Sequence, residues 1–186
     1  FLNGSISGLN VSEEELLSFL GPPLRESFAR YLSGHQVDEA VQVYRAYNRE
    51  KHNDYVTLYP HETEVLKKLH EEGIKMAIVT TKYKDAAVYG LKCADLDQYF
   101  DVVIGSDEVT HGKPHPEALR VALSHLNATK GYMIGDNVTD IQAGKNAGIG
   151  TIGVTWSLKG TQLLLEEHPD YMMESYDDLY QYLERM

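Results

Sequence analysis

The chain has 186 residues, 42% hydrophobic and 24% charged, which is ordinary globular material and enough for one sizeable core or a core with a small appended lid. Its net charge of -11 excludes a nucleic-acid surface, since no basic block could neutralise a phosphate backbone, and it repels small anions unless a metal and a few placed cations offset the field. The single cysteine, Cys93, rules out an internal disulfide; with no signal-peptide pattern and no bilayer-length apolar run in these residues, the expected location is the cytoplasm, away from membranes.

Taken in chain order, the residues before Leu58-Tyr59-Pro60 carry only helical signals. Ser12 and Glu15 form a capping box ahead of Leu16, Leu17, Phe19 and Leu20, and Gly21-Pro22-Pro23 breaks that helix. Leu24, Phe28, Tyr31 and Leu32 then recur at helical spacing, as do Val37, Ala40, Val41, Tyr44 and Tyr47, so residues 1–58 read as a small helical unit.

Beyond Pro60, helices and short apolar strands alternate. Val65, Leu66, Leu69 and His70 predict a helix that Gly73 ends, and residues 75–80 a strand. A helix over 85–91, a strand at 102–104, a helix over 116–126 and a strand at 132–134 follow. The remaining pattern is a helix through Ala147, a strand at 151–155, a helix over 162–167, Tyr171-Met172-Met173, and a last helix over 177–183. Strands apolar throughout predict burial on both faces, hence a parallel sheet covered by helices.

In such a sheet, ligands gather at the carboxyl ends of the strands. The first strand delivers Thr80-Thr81-Lys82 there, where a hydroxyl and backbone N–H groups at a helix start suit a phosphate oxygen; the plainer reading is an N-cap threonine. The second delivers a loop to Gly112-Lys113-Pro114-His115-Pro116. Lys113, held between glycine and proline, can offset charge on a transferring phosphoryl group and pair with a carboxylate such as Asp136; otherwise it is a solvated surface lysine. The third delivers Gly135-Asp136-Asn137-Val138-Thr139-Asp140. Its two carboxylates can hold a hard cation such as Mg2+ against a phosphate, or serve as a turn residue and a helix cap. His111 and His115 could suggest a second metal site, but no third ligand sits at suitable spacing, so they read as loop histidines. Gly148-Ile149-Gly150-Thr151-Ile152-Gly153 is a weak dinucleotide-binding match, because its glycines precede a strand instead of opening a helix.

Thr, then Lys, then Gly-Asp-x-x-x-Asp, each at the tip of a successive strand, resembles the haloacid dehalogenase superfamily of phosphohydrolases. Residues 78–82, 112–116 and 135–140 are similar to its second, third and fourth motifs. The helical segment resembles the inserted cap of the phosphoglycolate-phosphatase-like branch, with Leu20-Gly21-Pro22-Pro23-Leu24 as its substrate-facing loop. Residues 43–48, 77–82, 144–148 and 153–160 are similar to the bacterial inorganic pyrophosphatases of that branch.

The resemblance implies a Rossmannoid parallel sheet with helices on both faces and an all-helical cap, divided as 1–58 (cap, its first helix truncated) and 59–186 (core). It also implies a nucleophilic aspartate on a first strand, in an Asp-x-Asp-Gly-Thr motif, whereas no aspartate here precedes Asp38. Phe1-Leu2-Asn3-Gly4-Ser5-Ile6 could be aligned with a decayed copy, but no strand precedes it and too few residues separate it from Gly21. The better reading sets Phe1 near the end of the first cap helix, with the central strand between those ending at Thr80 and Gly135 missing. Such a chain is expected to be inactive alone. For the intact enzyme the resemblance implies Mg2+ held by Asp136, with Asp140 orienting a metal-bound water or Lys113. It further implies phosphate oxygens on the Thr80 hydroxyl and Thr81 N–H, near Lys82, and a leaving group selected around Gly21 to Arg25. The expected substrate is pyrophosphate, with phosphoglycolate or another small phosphoester as the alternative; a non-catalytic phosphate-binding remnant is the rival reading. Oligomeric state is left open.

Overall fold

In the computed structural model, residues 11–185 are described. They form a helical unit ending at Val56 and an α/β unit beginning at Thr57. The reading of Phe1 as a helix end, and its decayed-motif alternative, lie outside the described residues.

The helical unit contains α1 (Glu13–Leu17), α2 (Leu24–Ala29) and α3 (His35–Tyr55). The expected capping box starts α1: the Ser12 N–H donates to Glu15 Oε2 at 2.9 Å and the Glu15 N–H to Ser12 Oγ at 3.2 Å. Phe28, Val37, Ala40 and Val41 form the unit's core with Val11, and Phe19 stacks on Tyr31 at 5.8 Å. These are the apolar positions recurring at helical spacing, all drawn to one side.

The α/β unit runs α4 (Glu62–Glu71), β1 (Ala77–Val79), α5 (Lys84–Cys93), β2 (Val102–Ile104), α6 (Glu117–His125), β3 (Tyr132–Gly135), α7 (Val138–Ala147), β4 (Gly150–Val154), α8 (Thr161–Glu166), β5 (Tyr171–Met173) and α9 (Tyr176–Glu184). Single 3-10 turns flank β2 at Asp97–Tyr99 and Ser106–Glu108. Every strand pair is parallel, as expected. The strands, however, make two sheets: β1-β2, with Ile78 opposite Val103, and β3-β4-β5, with Ile134 opposite Ile152 and Gly153 opposite Met172.

Between the two sheets lies a cavity of about 710 Å3, lined by Ala77, Ile78 and Val79 of β1 and by Tyr132, Met133 and Ile134 of β3, and reaching Asp136. This corrects the expectation of burial on both faces for every strand. β4, paired on each side, is buried from Thr151 to Val154, whereas β1 is only half-buried and Ile134 is 38% exposed. Helices cover what the strands leave: Ile104 packs with Ala118 and Ala122 of α6, and Met133 with Leu119 and Ala143.

Candidate active site

The carboxyl ends of β1 and β3 are joined by one side chain. Lys113, on the loop between β2 and α6, donates to the Val79 carbonyl at 3.0 Å and pairs with Asp140 Oδ1 at 2.7 Å. It therefore spans from the tip of β1 to the first turn of α7, just after β3. Its side chain is 10% exposed and that of Asp140 6%, so the reading of a solvated surface lysine does not hold. Lys113 thus pairs with Asp140, which the family resemblance gave as a residue orienting it, and not with Asp136.

Asp140 has a second task. Its other oxygen, Oδ2, accepts the Asn137 N–H at 3.0 Å, closing the amino end of α7. Both carboxylate oxygens are thus engaged by protein groups. Gly135 permits this closeness, because a Cβ there would stand 2.2 Å from Asp140 Cβ.

Asp136 is the exposed carboxylate of the pair. Oδ1 accepts the Asn137 side-chain amide at 2.9 Å, and its backbone carbonyl accepts the Ser157 hydroxyl at 2.7 Å. Oδ2 has no hydrogen-bond partner among the described residues. Asn137 and Ser157 were not read from the sequence. The Asn at the helix start with Asp three residues on is a capping pattern visible in the chain, whereas Ser157 arrives from the loop after β4 and left no local signal.

Thr80 ends β1 half-buried, with its N–H on the Ile104 carbonyl at 3.0 Å. Its hydroxyl oxygen accepts the Lys82 N–H at 3.1 Å, a local turn bond. The plainer reading of Thr80 as a helix cap fails, since α5 begins only at Lys84 with Tyr83 as its N-cap. For the same reason Thr81 and Lys82 lie on a loop and not on a helix amino end. That loop is riveted to the one after β2: the Ser106 N–H donates to the Lys82 carbonyl at 2.9 Å, and the Lys84 N–H to Asp107 Oδ1 at 2.8 Å. The Lys84 ammonium, 2.8 Å from Glu108, is the first cause holding that carboxyl below its ordinary range, followed by the Gly105 N–H.

The Lys113 loop is itself pinned from both ends. Glu117 accepts the N–H groups of Thr110 and His111 at 2.8 and 3.0 Å, and the Asn146 amide donates to the Pro114 carbonyl at 3.0 Å. The Thr110 N–H, then the His111 side chain, bring the Glu117 carboxyl down to about 2. Glu117 also lies 2.9 Å from His111 Nδ1 and 3.8 Å from His115 Nδ1, so the third potential ligand judged absent at the sequence level is present.

Within the helical unit, Gly21 takes φ +102° in the bend before α2, and Arg25 on α2 is exposed and paired with Asp38. Arg25, expected near the leaving group, is thus paired with Asp38.

Residues 5–154 match the model of the haloacid dehalogenase-like hydrolase family. The chain belongs to that family. It is 45% identical over 168 residues to the pyrophosphatase PpaX of Bacillus velezensis, covering 89% of this chain and 77% of the relative. Identity to PpaX of Listeria monocytogenes is also 45%, over 170 residues, with 90% and 78% covered. Among solved structures, a haloacid dehalogenase-like hydrolase from Streptococcus pneumoniae superposes with TM-score 0.80 at 29% identity, over 94% of this chain and 83% of that one. One from Bacteroides fragilis gives TM-score 0.82 at 27%, over 95% and 85%. The α/β fold with parallel strands is thus that of this family. Among the described residues no helix is long and apolar enough to cross a membrane.

Proposed function

We propose that this chain carries the phosphate-handling part of a Mg2+-dependent phosphohydrolase whose substrate is inorganic pyrophosphate. The observation that carries the reading is the buried Lys113–Asp140 pair at the carboxyl ends of β1 and β3, beside the exposed Asp136. The 45% identity to two PpaX pyrophosphatases supports the substrate.

The residues suit a hard cation. Mg2+ is commonly held by one or two carboxylates together with waters and substrate phosphate oxygens, and Asp136 offers an exposed carboxylate with Oδ2 unengaged. Bound there, the ion supplies neutralisation of phosphate charge. Asp140 is the positioning residue: it fixes Lys113, whose ammonium offsets the charge developing on the transferring phosphoryl group. The Thr80 hydroxyl, with its oxygen already accepting from Lys82, is left to donate its proton to a phosphoryl oxygen, and the Thr81 N–H and Lys82 lie on the same loop.

The cavity between β1 and β3 is the place for a further strand, whose carboxyl end would bring a nucleophilic carboxylate next to Asp136. Two strand edges and an apolar lining support this, because an extended apolar segment would satisfy both edges and fill the space. That carboxylate would bond to phosphorus as the bridging P–O bond breaks and phosphate leaves; water would then cleave the acyl phosphate. The helical unit corresponds to the cap of this family, and Arg25 on its second helix is paired with Asp38.

Two measurements test this. In an enzyme containing this chain and the further strand, Asp136→Asn should abolish Mg2+-dependent pyrophosphate release, and retained turnover would refute the metal role. Residues 1–186 alone should show no such turnover, and robust hydrolysis by them would sink the need for another strand. Faster turnover of phosphoglycolate than of pyrophosphate in the same enzyme would reassign the substrate.

A further inference from the structure

The loop that buries Lys113 presents a second set of ligands on its solvent side. His111, His115 and Glu117 each offer one ligand atom within 4.8 Å of the other two. The His111 and His115 side chains are 62% and 48% exposed, and Glu117 is 28% exposed, so an ion could reach them without unfolding anything. We propose that these three residues bind a borderline divalent ion of the zinc class, at a site that uses none of the residues around Asp136.

The distances are close to those such an ion requires. Ligands at ~2.0–2.2 Å from a tetrahedral zinc stand about 3.3–3.5 Å from one another. Glu117 Oε2 lies 2.9 Å from His111 Nδ1 and 3.8 Å from His115 Nδ1, on either side of that spacing. The two imidazoles lie with ring centres 4.5 Å apart and planes inclined by 38°, and His115 Nδ1 accepts the Glu117 N–H at 3.3 Å, a long bond that ligation would replace. The anchor is preorganised, because Glu117 opens α6 and its carboxylate is already held by the Thr110 and His111 N–H groups. Ligating carboxylates are ordinarily held in this way by outer hydrogen bonds.

Donor chemistry selects the metal. Two imidazole nitrogens and one carboxylate suit zinc, with water in the fourth position, whereas Mg2+ takes oxygen ligands. The chain's net charge of -11 favours accumulation of any divalent cation at an exposed site. The ion would also have a mechanical effect, since Lys113 lies in the chain between the two histidines. Ligation of His111 and His115 ties the loop on both sides of the lysine.

The test is titration of the folded full chain with Zn2+ by calorimetry, in excess Mg2+ and without substrate, so that its outcome is separate from that of the pyrophosphatase reading. One equivalent should bind. His111→Ala and His115→Ala should each weaken binding by more than the roughly 10–100-fold expected for loss of an outer-shell partner. Asp136→Asn should leave zinc affinity unchanged. Hydrogen exchange over residues 110–116 should slow on zinc addition. A His111→Gln/His115→Gln double variant with an unaltered circular dichroism spectrum guards against misfolding. The proposal is overturned if the folded protein takes up no zinc, if the double variant binds as the parent does, or if Asp136→Asn abolishes uptake.

Discussion

β4 and β1 are both short apolar strands in one α/β unit, yet they meet different fates. β4 is hydrogen-bonded on each side and buried through Val154, with Ile152 fully inaccessible. β1 pairs with β2 alone, faces a cavity of about 710 Å3, and stays half-buried along its length. An apolar run is thus enough to make a strand, but its burial depends on the neighbours it finds. At the strand tips, Lys113 links the end of β1, through the Val79 carbonyl, to the first turn of α7, through its buried pair with Asp140.

Breaking that crossing should give the largest effect. Lys113→Met leaves the Asp140 carboxylate buried without its counter-charge, and should cost about 3–5 kcal/mol of stability by urea unfolding. A change within ~0.5 kcal/mol would show that the pair carries little of the link between the sheets. Next comes the strand contrast itself. Ile152→Ala, at a fully buried position, should cost about 2–5 kcal/mol, whereas Ile134→Ala, on the cavity side of β3, should cost about 1 kcal/mol or less. Equal losses would erase the distinction, and occupation of the cavity by another strand should narrow it.

Gly135→Ala tests the junction between β3 and α7. The added methyl would press on Asp140 Cβ from 2.2 Å and should destabilise by about 1–3 kcal/mol, seen as a lowered melting temperature. The smallest effect is electrostatic. His61, which precedes α4, lies 2.5 Å from Asp177 on α9; hydrogen bonding, then charge attraction, raises its pKa above the ordinary 6.5. A raised folded-state value stabilises the fold fully below the unfolded value and loses that contribution as pH rises through the folded one. Denaturant midpoints should therefore fall slightly as pH is raised from about 6 towards 8, and His61→Asn should remove that slope. An identical slope in the variant would assign it to other groups.

Much of this architecture was legible in the chain. The Ser12–Glu15 capping box, the helical spacing of Val65, Leu66 and Leu69, and the apolar runs at 102–104 and 132–134 all encode local periodicity, which needs no distant partner. What escaped was long-range or chemically ambiguous. The resemblance gave Asp136 and Asp140 different roles, but their difference in exposure, and the hold of the Asn137 N–H on Asp140, came only with the fold. Glu117 was passed over as a ligand because fixed motif spacings do not anticipate a loop that folds its carboxylate back onto two histidines. The pairing of Arg25 with Asp38 was not legible, because Asp38 lies on another helix.

By itself, then, the sequence determined the element types, the parallel α/β character and the candidate chemistry at the strand tips, because side-chain periodicity and motif spacing are local properties. Tertiary structure alone decided that β1 and β3 border a cavity, that the Lys113–Asp140 pair is buried while Asp136 stays exposed, and that ligand atoms of His111, His115 and Glu117 lie within 4.8 Å of one another. Burial and pairing depend on which surfaces meet, and that is a property of packing rather than of any one segment.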